Sequence, residues 1–370
     1  MTDLLTIDGS YGEGGGQILR TALSLSAITL RPFFMVNIRA GRRNPGLQPQ
    51  HLAAARAAGI VSRAVVTGAQ LGSQELSFLP QHTPTPGHYG FDVSESVPRG
   101  SAGSVTLILQ TILLPLAFAN GTSRVVLRGG THVEWSPPFD DLVSSYFPAL
   151  RRIGFSVDAE LVRWGWYPVG DGEISCRIGA VHRDGAPRVQ PIDALERGNL
   201  RRITGRAVAA NLPAHIPQRM VERARSQLTN LGAPADIQAE CVTAACPGAA
   251  IFLTAHYDAM PAAFSAYGRL GKPAEAVAEA AVTALIEHHR SDAAIEAHLA
   301  DQLLLPLAFA SGTSGFTVAR VTPHLTTNAW AISQFGLAEI SFEMGTPCRV
   351  RVEPHPLRVA QSIQSGLSRR

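Results

Sequence analysis

Apolar positions along this chain switch between helical spacing and strand-like runs, and the order of these segments repeats. The first part of the chain has the elements in the order strand, helix, strand, helix, strand, strand, at residues 4–7, 17–29, 33–39, 50–58, 61–66 and 75–78. Helical stretches have apolar residues three and four apart, whereas the strand stretches are short and rich in branched or aromatic residues. The pattern therefore predicts a β-α-β-α-β-β module.

An eleven-residue stretch occurs twice in the sequence. Residues 113–123 and 304–314 differ at one position only. Each copy ends a helical pattern at a glycine, continues into a β-type run, and reaches a polar loop that contains a histidine, His132 in one copy and His324 in the other. Two copies of one helix–strand–loop unit explain this better than chance does.

The repeat divides the chain into domains. The second module covers residues 89–178, with a helix predicted over 139–153, and the third is predicted to resume with a helix over 274–289. The pattern changes between them. We predict an α/β (α+β) fold with a large domain of three repeated modules, formed by residues 1–181 and 268–356. Residues 182–267 are predicted to form a small inserted α/β domain, and residues 357–370 a disordered tail.

Composition limits the class of protein. The 370 residues are 45% hydrophobic, which is enough to bury the cores of two domains. The sequence has no run of about 18 apolar residues for a membrane span and no basic, apolar start typical of a signal peptide. We expect a soluble, cytoplasmic protein without a membrane partner. The four cysteines form no CxxC pair, so a structural zinc site or a disulfide framework is not expected.

Charge is distributed unevenly. The net charge is only +3, but residues 14–74 contain no Asp or Glu and seven arginines. Such a stretch favours an anionic ligand, although a solvated basic face would have the same composition. Lys272 is the only lysine. It does not lie in a Lys-x-Asp-Gly setting, which excludes a nucleotidyltransferase that forms its adduct on lysine.

A glycine-rich loop, Gly-Glu-Gly-Gly-Gly-Gln over residues 12–17, lies between the first strand and the first helix. It fits neither the Walker motif nor the G-x-G-x-x-G motif, but glycines ahead of a helix can present backbone N–H groups to phosphate. Glu13 beside a phosphate would require a bridging cation. A tight turn with a solvated glutamate is the alternative.

Other candidate residues have equally simple alternatives. The arginines at 39, 42 and 43 lie on a loop and suit phosphate oxygens, or they are solvated. Residues 100–104 either cradle a second anion or cap a helix. His298 shares a predicted helical face with Asp301 and Gln302, where solvated side chains are common. His324 is predicted to lie in a loop after a strand.

Together these motifs resemble those of the RNA 3′-terminal phosphate cyclase family over nearly the whole chain. The matching pieces are Asp8-Gly with residues 12–20, residues 38–42 with Pro45-Gly46, Gln50-His51, residues 100–104 with Gln110, residues 129–131, residues 301–303 and residues 324–328. The sequence departs from the family pattern at His298, where an aromatic residue is expected, and at His132, where Asp or Asn is expected.

The resemblance implies a fold and an activity. The fold is a set of repeated modules akin to those of enolpyruvyl transferases, with a small inserted domain. The activity is ATP-dependent conversion of an RNA 3′-phosphate into a 2′,3′-cyclic phosphate through a covalent histidine–AMP intermediate and an RNA-adenylate, with release of pyrophosphate and AMP. It also implies Mg²⁺ or Mn²⁺, ATP and an RNA with a 3′-phosphate end as partners. The oligomeric state is left open, a homodimer included.

The resemblance further implies roles for single residues. His324 is the nucleophile, and Glu13 helps to bind the metal. The residues expected to hold ATP or AMP are Gln17, Gln110, Pro137, His298, Asp301 and Gln302. Those expected to hold the phosphates or the RNA end are Arg20, Arg39, Arg42, Gln50 and His51.

Two other functions fit the same architecture. A cyclase-like ribosome-assembly factor would keep the fold without the nucleophile, but His324 and Glu13 are both present here. An enolpyruvyl-transferase-like enzyme would act on small molecules and would not retain AMP from labelled ATP. The inserted segment contains none of the matched motifs, so we expect AMP attachment to require the large domain only.

Overall fold

The computed structural model describes residues 4–96, 102–183 and 186–355. The first module has the predicted element order. Its elements are β1 (Leu5–Asp8), α1 (Gln17–Thr29), β2 (Phe33–Val36), α2 (Pro49–Val61), β3 (Val65–Thr67) and β4 (Leu76–Leu79). The strands form a sheet in the order β1-β2-β4-β3, with β1 parallel to β2 and the other pairs antiparallel.

The second module repeats this topology. Its elements are β5 (His88–Asp92), α3 (Val105–Ala117), β6 (Ser123–Gly129), α4 (Phe139–Asp141), α5 (Phe147–Arg152), β7 (Val157–Arg163) and β8 (Gly172–Ile178). The sheet order is β5-β6-β8-β7, again with only the first pair parallel. The helix predicted over 139–153 is interrupted by a π-helical segment at Leu142–Tyr146.

A short hairpin and one short strand come before the insertion. They are β9 (His182–Arg183) with β10 (Ala186–Pro187), and β11 (Asp193–Ala194). The inserted unit then contains β12 (Leu200–Ala210), α6 (His215–Leu228), β13 (Ala235–Val242), β14 (Gly248–Tyr257), β15 (Pro261–Tyr267) and α7 (Ala274–Arg290). Its sheet has the order β13-β12-β14-β15.

The third module is completed after the insertion. Its remaining elements are α8 (Ala297–Leu307), β16 (Ser314–Val318), α9 (Pro323–Gln334), β17 (Ala338–Glu343) and β18 (Cys348–Pro354). The sheet order is β11-β16-β18-β17, with β11 parallel to β16. The fold class of three repeated modules is confirmed. The two copies of the repeated stretch occupy equivalent places, from the ends of α3 and α8 to the starts of β6 and β16.

The boundaries of the inserted domain differ from the sequence prediction. The predicted insertion, residues 182–267, begins too early, because β11 pairs with β16 of the third module. It also ends too early, because α7 packs on α6, β14 and β15 and buries Val277, Val282 and Leu285 in the core of the inserted sheet. A two-residue strand leaves no hydrophobic pattern, and the pattern of α7 does not show which sheet it covers. The predicted tail, residues 357–370, lies outside the described residues.

One core joins the three modules. Helix α1 contacts α2, α3 and α9, so that it is buried on most of its surface. Phe33, Phe78 and Phe316 are among the largest buried side chains. This packing brings the first turns of α1 and α9 together, although about 300 residues separate them in the sequence. Within the described part of the chain, no helix has the length and hydropathy needed to cross a bilayer.

Candidate active site

His324 lies in the first turn of α9, and not in a loop as the sequence analysis expected. Thr322 caps the helix, because its Oγ1 accepts a hydrogen bond from the Leu325 N–H at 3.1 Å, and Pro323 occupies the first helical position. Thr-Pro is a common start of a helix, so the signal was present in the sequence. The position leaves the His324 side chain 53% exposed beside the positive end of the helix dipole.

Gln17 in the first turn of α1 orients the imidazole of His324. Its Nε2 donates a hydrogen bond to Oδ1 of Asp301, and its Oε1 lies 3.0 Å from Nδ1 of His324. Because the NH₂ group of the amide bonds Asp301, its oxygen is the atom that faces His324. Nδ1 of His324 then carries the hydrogen, and the lone pair is on Nε2.

Glu13, in the glycine-rich loop, lies beside the same nitrogen of this imidazole. Its Oε2 is 2.8 Å from Nδ1 of His324 but has no hydrogen-bond partner of suitable geometry. Its Oε1 pairs with the guanidinium of Arg42, which also bonds the Glu13 carbonyl at 3.1 Å. The Glu13 backbone N–H donates to Oγ1 of Thr327 in α9 at 3.2 Å. The glycine-rich loop is thus fixed to the helix that carries His324.

Two glycines of this loop allow the close approach. Gly12 has a φ of +57°, and a Cβ there would collide with Oγ1 of Thr327. A Cβ at Gly16 would overlap Nε2 of His51. Gly12 therefore meets both a conformational and a steric requirement, and Gly16 a steric one.

Three of the predicted phosphate-binding side chains lie around the loop. Arg20 is half-buried; its loss of solvation lowers its pKa to about 10, while the charges of Asp301 and Glu13 act in the opposite direction. His51 is buried, and its burial and the neighbouring Arg20 and Arg39 lower its pKa to about 3, so it is neutral at pH 7. Nδ1 of His51 accepts from the Gln48 N–H at 3.1 Å, which places its hydrogen on Nε2, facing the loop.

Arg39 holds its own loop. Its Nη1 donates to the carbonyls of Asn44 at 2.6 Å and Gly46 at 3.0 Å. Burial and the charge of Arg42 lower the Arg39 pKa. Since Arg42 pairs with Glu13, an incoming anion has to compete with that carboxylate or share the guanidinium with it.

A second set of residues extends from this cluster to Pro137. Gln50 accepts a hydrogen bond from the Ser104 N–H at 3.4 Å, Ser104 caps α3, and Thr106 Oγ1 donates to the Pro137 carbonyl at 2.7 Å. Gln110, also on α3, has a buried Nε2 without a hydrogen-bond partner. An unpaired buried donor is what a ligand oxygen would satisfy.

His298 and Asp301 lie on α8, with Gln302 half-buried beside them. His298 is 86% exposed on its side chain, but its Nδ1 is 2.8 Å from Oε1 of Glu296, the N-cap of the helix. That hydrogen bond and the Glu296 charge raise the pKa of His298 to about 9. Burial raises the pKa of Asp301, opposed by His324 and the hydrogen bond from Gln17.

Comparison with known proteins identifies the family of this chain. The family model described as RNA 3′-terminal phosphate cyclase matches residues 11–342. The proteins named RNA 3′-terminal phosphate cyclase from Methylococcus capsulatus and Thermococcus kodakarensis are 51% and 41% identical to this chain. The matches cover 97% and 94% of this chain, and 99% and 97% of those proteins.

The chain belongs to the RNA 3′-terminal phosphate cyclase family. In this cyclase-family chain, two residues that hold the site were not assigned roles from the sequence. Thr327 bonds the glycine-rich loop, and Asn328 donates to the Asp301 carbonyl at 2.9 Å while its Oδ1 accepts from Thr21 at 2.7 Å. They are three and four residues after His324, on the same helical face. Recognising the helix start would have found both.

In this cyclase-family site, the described residues offer a carboxylate oxygen for a cation but no complete set of metal ligands. The described residues include no group of three His, Cys, Asp or Glu side chains placed to hold a metal ion. Oε2 of Glu13 is buried without a hydrogen-bond partner, so it can supply one oxygen ligand. Mg²⁺ is typically bound by one or two carboxylates, with phosphates and water completing its shell.

Proposed function

We propose that this protein uses ATP to convert an RNA 3′-terminal phosphate into a 2′,3′-cyclic phosphate, through a covalent adduct of AMP on His324. The observation that carries the proposal is the pair of contacts at Gln17. Asp301 fixes the amide, the amide oxygen fixes the hydrogen of His324 on Nδ1, and the lone pair of Nε2 is left in a half-exposed position. A neutral imidazole with a free Nε2 is a competent nucleophile.

The first step forms the adduct. Nε2 of His324 attacks the α-phosphorus of ATP, the nitrogen–phosphorus bond forms, and the bond to the bridging oxygen breaks with release of pyrophosphate. The ring keeps its hydrogen on Nδ1 and becomes cationic. Oε2 of Glu13, 2.8 Å from Nδ1, stabilises that charge.

Two further steps complete the reaction. An oxygen of the RNA 3′-phosphate attacks the same phosphorus, and the nitrogen–phosphorus bond breaks, so that neutral His324 and an RNA-adenylate result. The adjacent 2′-hydroxyl oxygen then attacks the RNA phosphorus, its proton is lost, and AMP leaves. His324 is free of AMP after the second of the three steps, so the enzyme is restored before the ring closes.

The remaining residues supply positive charge and hydrogen-bond donors. Phosphoryl transfer depends mainly on positioning and on the stabilisation of charge on phosphate oxygens. Arg20, Arg42 and the Nε2–H of His51 surround the loop, and the unpaired Nε2 of Gln110 is a further donor. Arg39 and Gln50 hold the walls of the same region. A Mg²⁺ or Mn²⁺ ion held by Glu13 and the phosphates would offset their charge.

The adenosine is expected to lie between Pro137 and α8. His298 and Gln302 are on the accessible side of that helix, and Asp301 is behind them, bonded to Gln17. The imidazole of His298 can stack on a nucleobase in place of an aromatic residue, and its ion pair with Glu296 keeps it in one orientation.

Intact-protein mass spectrometry after incubation with ATP and Mg²⁺ tests the proposal. We expect the mass of one AMP to be added to the wild-type protein, and peptide mapping to place it on His324. The exposed His82 provides a control, since His82→Ala should react like the wild type and His324→Ala should not react at all. AMP on another residue, or no AMP on wild-type protein that is folded, would contradict the proposal.

A further inference from the structure

Loop 131–138 and the residues that follow it contact the inserted domain more closely than the sequence suggests. Asp140, two residues after Pro138, accepts two hydrogen bonds from Arg206 on β12, at 2.6 Å from Nε and 3.0 Å from Nη2. Its Oδ2 is also 2.8 Å from Nε2 of His132. One carboxylate therefore ties the start and the end of the loop to a strand of another domain.

The surroundings make these contacts rigid. His132 is buried and stacks on Trp164, with ring centroids 4.4 Å apart, and the Arg206 guanidinium lies 4.8 Å from the centre of the same indole. Asp140 is only 12% exposed. Burial by itself would raise the Asp140 pKa, but the hydrogen bonds from His132 and Arg206 outweigh it and lower the pKa. The carboxylate is thus ionised and fully paired.

Two more hydrogen bonds connect the same segment to the inserted sheet. Ser265 Oγ on β15 donates to Oδ2 of Asp141 at 3.0 Å, and Ser145 Oγ donates to the Pro261 carbonyl at 2.9 Å. Burial raises the pKa of Asp141 to about 8, although the hydrogen bond from Ser265 acts in the opposite direction. The inserted domain therefore contacts the segment that begins directly after Pro137.

We propose that Arg206 is a positioning residue for nucleotide binding, which acts by holding Asp140 and with it the loop that carries Pro137. The inference rests on the proposed function, in which Pro137 and α8 enclose the adenosine. Arg206 belongs to the inserted domain, whereas the nucleophile belongs to the large domain. The inserted domain accordingly contributes to the affinity for ATP and not to the transfer chemistry.

The test measures how the rate of AMP attachment depends on ATP concentration in Arg206→Gln and in a matched control. Arg201→Gln is the control, because Arg201 is on the same strand and makes a similar two-bond pair with Asp258, at 2.6 and 3.1 Å, inside the inserted domain. We expect Arg206→Gln to raise the ATP concentration for half-maximal rate about tenfold or more, with the maximal rate within about threefold of wild type. Arg201→Gln should change neither quantity.

A second variant covers the case in which Arg206→Gln fails to fold, because it leaves a buried carboxylate without its partner. Asp140→Asn/Arg206→Gln removes both charges and should fold, while still raising the ATP requirement. An unchanged ATP dependence in the folded double variant, or a loss of maximal rate alone, would overturn the inference. If wild type and Arg201→Gln also fail to react with ATP, the proposed function is wrong, and that outcome is distinct from failure of the inference.

Discussion

Gln17 combines two contacts of opposite polarity on one side chain. Its amide donates to a buried carboxylate and its oxygen faces an imidazole N–H. Because the NH₂ group bonds Asp301, the amide oxygen faces His324, and that oxygen requires the hydrogen of the imidazole on Nδ1. The tautomer of His324 thus depends on a residue of α8 that does not itself contact the ring through a hydrogen bond.

Gln17→Met tests this relation, because methionine has a similar length and no polar donor. We expect AMP attachment to slow by about 10- to 100-fold, as the loss of charged hydrogen bonds worth about 1.5–3 kcal/mol implies. Gln70→Met, at an exposed position, is the control and should react at the wild-type rate. Equal rates for the two variants would show that the tautomer does not depend on Gln17.

The rival histidine, His298, is expected to behave differently from His324. Under the proposed function, His298→Ala removes a ring beside the adenosine but leaves Nε2 of His324 in place. It should raise the ATP concentration needed for AMP attachment and leave the adduct chemically possible, whereas His324→Ala abolishes it. The two rates over a range of ATP concentrations separate the roles, and an inert His298→Ala at saturating ATP would reverse the assignment.

The charge of His298 also depends on Glu296. The pKa of about 9 lies above the ordinary value of about 6.5, so the ion pair contributes stability below pH 6.5 and loses it as the pH rises to 9. Glu296, Asp141 and Asp301 all favour the charged ring. In Glu296→Gln we expect the pKa to fall toward 6.5, measured by NMR titration, with Glu287→Gln as an exposed control. A His298 pKa that stays near 9 in Glu296→Gln would contradict this.

At the scale of elements, the first turns of α1 and α9 are held by a loop that has no room for a Cβ at Gly12 or Gly16. Gly16→Ala would place a Cβ into Nε2 of His51, which is buried and cannot retreat without moving α2. We expect a loss of stability of about 1–3 kcal/mol and a larger loss of AMP attachment. Gly90→Ala is the matched control, because no atom lies within 4 Å of its Cβ. Urea unfolding compares the two, and equal stability would contradict the packing argument.

An element could be predicted from the sequence to the extent that residues close to it in the chain determine its structure. The bounds of α1 were predicted from the sequence, because the helical spacing of apolar residues begins and ends where the helix does. The start of α9 was missed, since Thr322-Pro323 was interpreted as part of a loop. The membership of α7 in the inserted domain could not be predicted, because its apolar face fits either sheet. Likewise the candidate residues were found by resemblance, but the contacts among Glu13, Gln17, Asp301 and His324 depend on packing between distant modules.

At the scale of the whole molecule, the inserted domain contacts the large domain at two places, near its two chain connections and in a separate apolar cluster. Arg197 and Asp292, near its two ends, form an ion pair at 2.9 Å. Away from these connections, Trp166 of the large domain packs in a separate core with Val208, Ala250 and Phe252 of the inserted sheet. The inserted domain therefore covers the indole of Trp166.

Deletion of residues 198–291 with a short linker tests how far the large domain is independent. The sequence alone suggested that AMP attachment would survive. The structure leads us to expect exposed Trp164 and Trp166, with red-shifted tryptophan emission, binding of a hydrophobic dye, and a raised ATP requirement if the protein folds. Wild-type emission and ATP dependence in the deletion variant would restore the original expectation.

The contacts between the first turns of α1 and α9 have a consequence for folding during synthesis on the ribosome. Thr327 and Asn328 are made about 300 residues after the glycine-rich loop and α1, which they hold. Contacts of such long sequence separation form late in folding, because the intervening chain must first be ordered. A nascent chain therefore carries the glycine-rich loop through about 300 residues of synthesis before α9 can hold it in place.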